Sequence, residues 1–242
     1  MNNLIIGKAN KYLLPYAKKI FVSYKEVSGI PVKHKNKILE IGNIVREEII
    51  NSNIKDRSIK FDGLSILVLG GSQAAKVFAE ELPQIFEKIK KEEISIKIYQ
   101  QCLKNQTQKL SYFYDNVKID HEIFNFTNKI IDYYSKVNLV ITRSGASVLG
   151  ELINLKIPFI SIPLPSSADN HQLKNAEFYA KKGYGYLLQE KDLKNDLFNL
   201  IKSAYTDKTS LNKILSNQRQ YSDKDIFKNL NIQIEKIINE KN

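Results

Sequence analysis

Leu64-Ser65-Ile66-Leu67-Val68-Leu69-Gly70-Gly71-Ser72-Gln73-Ala74-Ala75-Lys76 is an apolar run that stops on two glycines and passes at once into good helix formers. The order is strand, tight turn, helix. The glycines let the backbone bend sharply, and the first free N–H groups of the new helix point out of the turn with the positive end of its dipole behind them. Such a turn binds phosphate. Ser72 is expected at the N-cap, where its hydroxyl can cap the helix or bond a phosphate oxygen. Helix–sheet packing alone also accounts for a Gly-Gly turn at this place, so the turn has to be judged by its context.

Downstream, apolar strands alternate with helical segments in the order that gives a parallel sheet covered on both faces. Strands are expected over 66–70, 94–100, 117–123, 139–142, 159–162 and 185–188. Helices are expected over 73–91, 105–114, 127–136, 146–155, 170–182, 192–204, 208–218 and 223–240. The fold class is therefore α/β, a Rossmann-like doubly wound parallel sheet. Residues 1–25 read as a helix around 9–17 and a strand over 20–24, the end of a unit rather than its beginning. Residues 26–60 are polar, lysine-rich and broken by Gly29, Pro31 and Gly42, which suggests a linker. The main domain then spans 61–222, and 223–242 is a C-terminal helix.

A chain of 242 residues with 43% apolar content can bury a real core. The formal charge of +11 and pI of about 9.4 favour anionic partners: nucleotide phosphates, nucleic acid or an acidic membrane surface. The lysines are scattered, so bias on solvated faces also explains the charge, and no nucleic-acid partner is expected. The single cysteine, Cys102, excludes an internal disulfide and fits a reducing cytosol. No stretch approaches the ~20 apolar residues of a spanning helix, and the N-terminal apolar run is too short for a signal peptide. A cytoplasmic protein, or one peripheral on the inner face of the membrane, is expected.

Three further candidate sites fall at the ends of strands or beside them. In Thr142-Arg143-Ser144-Gly145-Ala146 a second strand meets a small-residue turn and a helix start, with Arg143 as a cation. Glu151 lies two turns along that helix on the face of the turn, where a carboxylate can accept both hydroxyls of a ribose. In Pro163–Asn175 the prolines end a strand, Asp169 is expected as an N-cap, and His171, Gln172 and Asn175 share the first helical turns. Uncharged groups bunched there suit sugar hydroxyls, and they suit capping equally. Finally, Arg46 in Gly42-Asn43-Ile44-Val45-Arg46 could reach a ligand at the main turn, although an ordinary surface arginine fits the same residues.

Gly70-Gly71-Ser72-Gln73, Arg143-Ser144-Gly145-Ala146 with Glu151, Asp169-x-His171-Gln172-x-x-Asn175 and Gly42-Asn43-x-Val45-Arg46 together resemble the carboxyl-terminal part of the MurG family over about residues 40–190. That resemblance implies a cytoplasmic inverting glycosyltransferase, which moves N-acetylglucosamine from UDP-N-acetylglucosamine to a lipid-linked muramoyl-pentapeptide in peptidoglycan synthesis. It implies one half of a two-domain GT-B fold, with 1–25 a remnant of the acceptor domain. The diphosphate is then expected at Ser72 and the glycine turn with Gly71, and the uridine against Gly145 and Ala146 with Glu151 on its ribose; Gln73 and Ser144 are expected among the residues that bind the same donor. The sugar hydroxyls are expected at Gln172, with His171 and Asn175 nearby. Phe126 falls near the base-contacting position, and Arg46 and Arg143 supply positive charge.

Departures from the pattern are equally informative. Ala74 and Lys76 replace the glycine and arginine usual after Gly-Gly-Ser-Gln. The family's amino-terminal glycine-rich loop ending in histidine, the usual source of the catalytic base, has no counterpart, and none of His34, His121 or His171 lies in such a context. No carboxylate cluster argues for a metal, and no cofactor is expected. The partners expected are the donor and the lipid-linked acceptor; one alternative adds a separate acceptor-domain chain, this chain then being the donor-binding subunit of a split transferase. The alternatives are a catalytically inactive binding remnant and a dinucleotide-binding protein, the latter opposed by the absence of G-x-G-x-x-G from Gly70 onward.

Overall fold

Ile66 and Val68 point to one side of their strand and Leu67 and Leu69 to the other, and all four are buried. A strand buried on both faces needs helices on both, which is the condition that organises the chain. The computed structural model describes residues 1–56 and 63–239, apart from the side chains of residues 55, 56 and 72–75. In chain order it begins with helix α1 (Lys8–Leu13), strands β1 (Ile20–Val22) and β2 (Ile38–Glu40) and the short helix α2 (Glu47–Ile50). The main sheet follows with β3 (Leu64–Leu69), α3 (Gly71–Lys91), β4 (Ile96–Gln101), α4 (Thr107–Asn116), β5 (Asp120–Phe124) and α5 (Ile130–Lys136). It continues with β6 (Leu139–Thr142), α6 (Ala146–Leu155), β7 (Phe159–Ser161), α7 (His171–Lys181) and β8 (Tyr186–Leu187). The helices α8 (Leu193–Thr206), α9 (Lys208–Arg219) and α10 (Ile226–Asn239) end the described chain.

The six strands of the main sheet lie in the order β5-β4-β3-β6-β7-β8, every pair parallel, as the doubly wound expectation requires. Each main-domain element expected from the sequence is present, its ends shifted by no more than three residues. One core, of Phe78, Leu82, Phe86, Leu110, Tyr114, Leu197 and Ile201, packs α3, α4 and α8 on Ile66, Val68 and Ile141. The other packs α2, α5, α6 and α7 on Leu67, Leu69 and Val140 through Ile49, Tyr134, Leu149, Ile153 and Tyr179. Two capping expectations need correction. The helix α3 starts at Gly71, whose φ of +64° suits glycine, so Ser72 lies inside the first turn and Gly70 takes the N-cap place. Asp169 and Asn170 both adopt left-handed backbone, and neither side chain caps α7.

At the amino-terminal end β1 and β2 pair in parallel, Ile20 opposite Ile38 and Val22 opposite Glu40. Ile6, Leu14, Ile20, Val22 and Ile30 form a small cluster of their own beneath them. Residues 26–60 are thus more than a plain connector, because β2 within them completes a sheet with β1 on the far side of residue 25. Two runs of three residues are too short to declare that pairing in the sequence.

A buried polar network fastens this small unit to the main sheet. Asn43, fully buried, donates its backbone N–H to Asp223 Oδ1 at 3.0 Å and its Nδ2 to the hydroxyls of Tyr24 and Tyr221 at 2.7 and 2.8 Å. Asp223 also accepts from Asn154 Nδ2 and Tyr221, both at 2.7 Å. Burial pushes the Asp223 carboxyl up from its ordinary value, with these donors pulling it back. Gly150 lets the segment lie close on α6, since a Cβ there would stand 3.2 Å from the Asn43 side chain and 3.3 Å from Val45 Cγ1. Gly42, at φ +96°, would drive a Cβ into Asp223 Oδ1.

Gly42→Ala is therefore expected to destabilise the fold by about 2–4 kcal/mol, from strained backbone and a clash with a carboxylate held by three donors. Gly7→Ala, at φ −69° and with nothing within 4 Å of its Cβ, should cost about 1 kcal/mol or less. Urea denaturation of both variants checks the contrast, and equal losses would contradict it.

Candidate functional site

From β3 the chain winds outward through β4 to β5, then returns across the sheet to β6 and winds the other way. The connections after β3 and β6 diverge, and a crevice opens at the carboxyl ends of these two neighbouring strands. A cleft of about 430 Å³ lies there, its wall including Gly70, Gly71, Gln101, Phe126, Gly145 and Glu151. That is the size of a small-molecule site. Both α3 and α6 begin in its wall, and the N-cap residue of each, Gly70 and Gly145, has no side chain to offer its first turn. Their first-turn N–H groups lack intrahelical partners, so two positive helix ends converge on one space. Within it the Gly71 N–H donates to Gln101 Oε1 at 3.3 Å.

Beside those helix ends stands Glu151, on α6 and only 7% exposed. Arg46 grips it with a fork: Nε donates to Oε1 at 2.9 Å and Nη2 to Oε2 at 3.0 Å. The Tyr134 hydroxyl, from α5, donates to Oε2 at 3.0 Å. Arg46 Nη1 also pairs with Glu48 at 2.8 Å. The hydrogen bond to Glu151 holds the Arg46 guanidinium above its ordinary pKa, and burial pushes the Tyr134 hydroxyl well above its own, so it stays a donor.

Arg143, expected as a cation for an anionic ligand, also lines the cleft, but its charge is already matched. Nη2 meets Glu190 at 2.5 Å, Nη1 lies 3.4 Å from the carbonyls of Ile162 and Pro163, and the guanidinium stacks 4.5 Å from the Phe78 ring centre. Burial pulls its pKa down and Glu190 pushes it back. The charge is spent inside the protein because an unpaired buried guanidinium would be far more costly.

The remaining expected residues divide in the same way. Phe126 stands 79% exposed at the edge of the cleft, a flat apolar face with nothing on it. Gln172 lines the cleft, but its Oε1 accepts from the N–H groups of Ser144 and Leu164 at 3.2 and 3.0 Å, tying the turns after β6 and β7 together. Among the described residues its Nε2 has no side-chain or backbone acceptor. Asn175 is outside the cleft and fully buried: Oδ1 accepts from the Leu4 N–H, and Nδ2 donates to Ser144 O and Asn3 Oδ1. Both ends of its amide thus hold backbone or the amino-terminal segment, one of them directly behind the turn at Ser144. His171 does not line the cleft either; its Nδ1 lies 2.7 Å from the carbonyl of Ala168. Ser144 and Ala146, in the turn and at the start of α6, are both buried, and among the described residues Ser144 Oγ has no hydrogen-bond partner. The side chains of Ser72 and Gln73 lie outside the described residues, though both belong to α3.

Several residues of the wall were not expected, Gln101 and Tyr134 among them. Gln101 ends β4, a place where open α/β sheets put ligand contacts, so its position in the strand order could have marked it. Tyr134 has no such signal, because one tyrosine of a helical pair resembles the other until the helix is packed.

Residues 65–230 match the family model of the glycosyltransferase family 28 C-terminal domain. Over 245 residues the chain is 34% identical to the UDP-N-acetylglucosamine–N-acetylmuramyl-(pentapeptide) pyrophosphoryl-undecaprenol N-acetylglucosamine transferase of Pelagibacter ubique strain HTCC1062. That alignment covers 98% of this chain and 66% of the relative. A protein of the same name from Rickettsia bellii strain RML369-C is 35% identical over 198 residues, covering 80% of this chain and 56% of the relative. The chain thus spans less than two thirds of the length of either curated relative. Among solved structures, Acinetobacter baumannii MurG is similar in fold, with a TM-score of 0.78 at 22% identity, over 97% of this chain and 66% of that one.

Because Gln172 is a tie as well as a wall residue, its substitutions should separate by what they keep. Gln172→Leu strands two backbone N–H groups and is expected to cost about 1–3 kcal/mol. Gln172→Glu retains an acceptor for both and should lose clearly less. Chemical denaturation of the two variants decides it; equal stability would mean that the tie carries little of the turn.

Proposed function

The chain belongs to the glycosyltransferase family 28 C-terminal domain family, and from that premise we propose that its cleft is the donor site of an inverting transferase that uses UDP-N-acetylglucosamine. The observation that carries this is the convergence of two helix ends with glycine N-caps beside a buried carboxylate that lines the same crevice. The diphosphate sits at the α3 turn, Gly71 to Gln73. The uracil lies against Gly145 and Ala146 with Phe126 over it, and Glu151 takes the ribose hydroxyls. Gln172 offers Nε2 to the sugar while its Oε1 keeps the turns in place.

In the reaction the bond from C1 of the sugar to the diphosphate oxygen breaks as an acceptor hydroxyl attacks the opposite face. Negative charge grows on the departing diphosphate. Backbone N–H groups at two helix starts are already aimed there and need no reorganisation, and Arg46 adds a cation from the same wall. Among the described residues no group of three or more His, Cys, Asp or Glu could hold a metal ion. The acceptor we propose is the lipid-linked muramoyl-pentapeptide, at the inner membrane face. The base that takes its proton, and the surface that holds it, belong on this reading to the part of the relatives' length that this chain does not match, joined to it or supplied by a separate chain. No described helix is long and apolar enough to cross a membrane.

Titration calorimetry should show UDP binding to the 242-residue chain in the presence of EDTA. Glu151→Ala should weaken UDP by about 1.5–3 kcal/mol, the worth of hydrogen bonds to a charged group. Phe126→Ala should cost about 1–3 kcal/mol through lost stacking on the base. Binding that appears only on adding magnesium would remove the metal-free part of the proposal, and no binding under either condition would remove the donor site.

A further inference from the structure

Glu151 is fully engaged before any ligand arrives, and its two kinds of donor differ in how easily they can leave. A carboxylate offers about four lone-pair positions. Arg46 takes one on each oxygen and Tyr134 takes a second on Oε2. What remains is too little for the two hydroxyls of a ribose. One donor has to withdraw.

Tyr134 cannot withdraw cheaply. It is 1% exposed, and its ring belongs to the core with Leu149 and Ile153 of the helix that carries Glu151. Arg46 can. Its side chain is 43% exposed, its other partner Glu48 is 47% exposed, and its long stem swings from a backbone pinned by buried Asn43 and Val45. It also stands in the same wall as Gly71 and Gly145, where a diphosphate would meet the helix ends.

We propose that Glu151 is an exchange point: Tyr134 is its permanent positioning donor, while Arg46 occupies in the empty cleft the edge that ribose hydroxyls take, and is handed to the diphosphate when they arrive. The proposal rests on the ribose assignment above and goes beyond it. A nucleoside must displace Arg46 and offers it nothing in return. A nucleoside diphosphate displaces the same fork and gives the guanidinium two phosphates to bind. The exchange therefore selects nucleotide over nucleoside, and it reports donor occupancy to the segment that joins the small amino-terminal sheet to the main one.

The test uses the full chain with uridine, 2′,3′-dideoxyuridine and UDP, by ligand-observed NMR titration and calorimetry. Arg46→Gln is expected to tighten uridine roughly threefold to tenfold, to weaken UDP about tenfold or more, and to leave dideoxyuridine unchanged. Arg46→Lys, which keeps the charge but cannot fork both oxygens, should shift uridine in the same direction and UDP less. Tyr134→Phe should weaken uridine and UDP alike, roughly threefold to tenfold, spare dideoxyuridine, and have no further effect once Glu151→Ala is present. Uridine unchanged or weakened in both Arg46 variants overturns the exchange while leaving the donor site standing. A Tyr134→Phe loss that extends equally to dideoxyuridine overturns its positioning role. If wild-type chain binds neither uridine nor UDP, or if Glu151→Ala keeps the preference for uridine over dideoxyuridine, the ribose assignment itself fails and the exchange falls with it. Thermal unfolding of each variant separates these outcomes from loss of fold, and the Arg46 pair decides the exchange without Tyr134.

Discussion

A carboxylate buried to 7% exposure needs partners, and the partners of Glu151 tie together the parts of this molecule. An ion taken from water without compensation costs several kcal/mol, so α6 can carry Glu151 in the wall only if donors are brought to it. One comes from α5 as Tyr134 and the other from the segment after β2 as Arg46. Arg46 reaches the carboxylate because Asn43 and Val45 are packed on α6 at Gly150, which has no side chain to keep them off. The small amino-terminal sheet, the main sheet and the cleft are thereby joined by one acidic side chain and what it requires.

The cleft itself follows from strand order. A doubly wound sheet starts in the middle, and where the winding reverses two helices begin side by side with nothing between them. Their backbone N–H groups neither titrate nor move. Arg143, a second cation in the wall, is matched by Glu190 and stacked on Phe78. The positive character of the cleft therefore rests mostly on fixed dipoles, with Arg46 as the one mobile cation we assign to it. Fixed dipoles suit a site where charge develops during a reaction, because their orientation has been set by folding.

Several polar side chains that look like ligand contacts are ties within the fold. Asn175 joins Leu4, Asn3 and Ser144; Gln172 joins the turns after β6 and β7; Asn43 joins two tyrosines and Asp223. Each satisfies backbone or hydroxyl groups that burial would otherwise leave unpaired. Their regular spacing beside the glycine turns follows from the need to hold those turns still. On the proposed reading Gln172 also meets the donor, through the other end of its amide.

Periodicity and turn chemistry are local properties, so the sequence alone determined the order of strands and helices, the doubly wound class, and the glycine turns at Gly70-Gly71 and Gly145. The same locality placed Glu151 on the face of its turn, whereas Phe126 was singled out only by the family resemblance. Tertiary structure alone decided who pairs with whom. Arg46 and Glu151 are 105 residues apart, and Arg143 and Glu190 are 47 apart. The parallel pairing of β1 with β2, the burial of Asn175 and the approach of Tyr134 to Glu151 likewise join separate elements. The reason is physical: an arginine, an asparagine or a tyrosine carries the same donors in any context. Whether it spends them on a ligand or on the protein is settled only when the whole interior has been folded and each buried polar group has found, or failed to find, a partner.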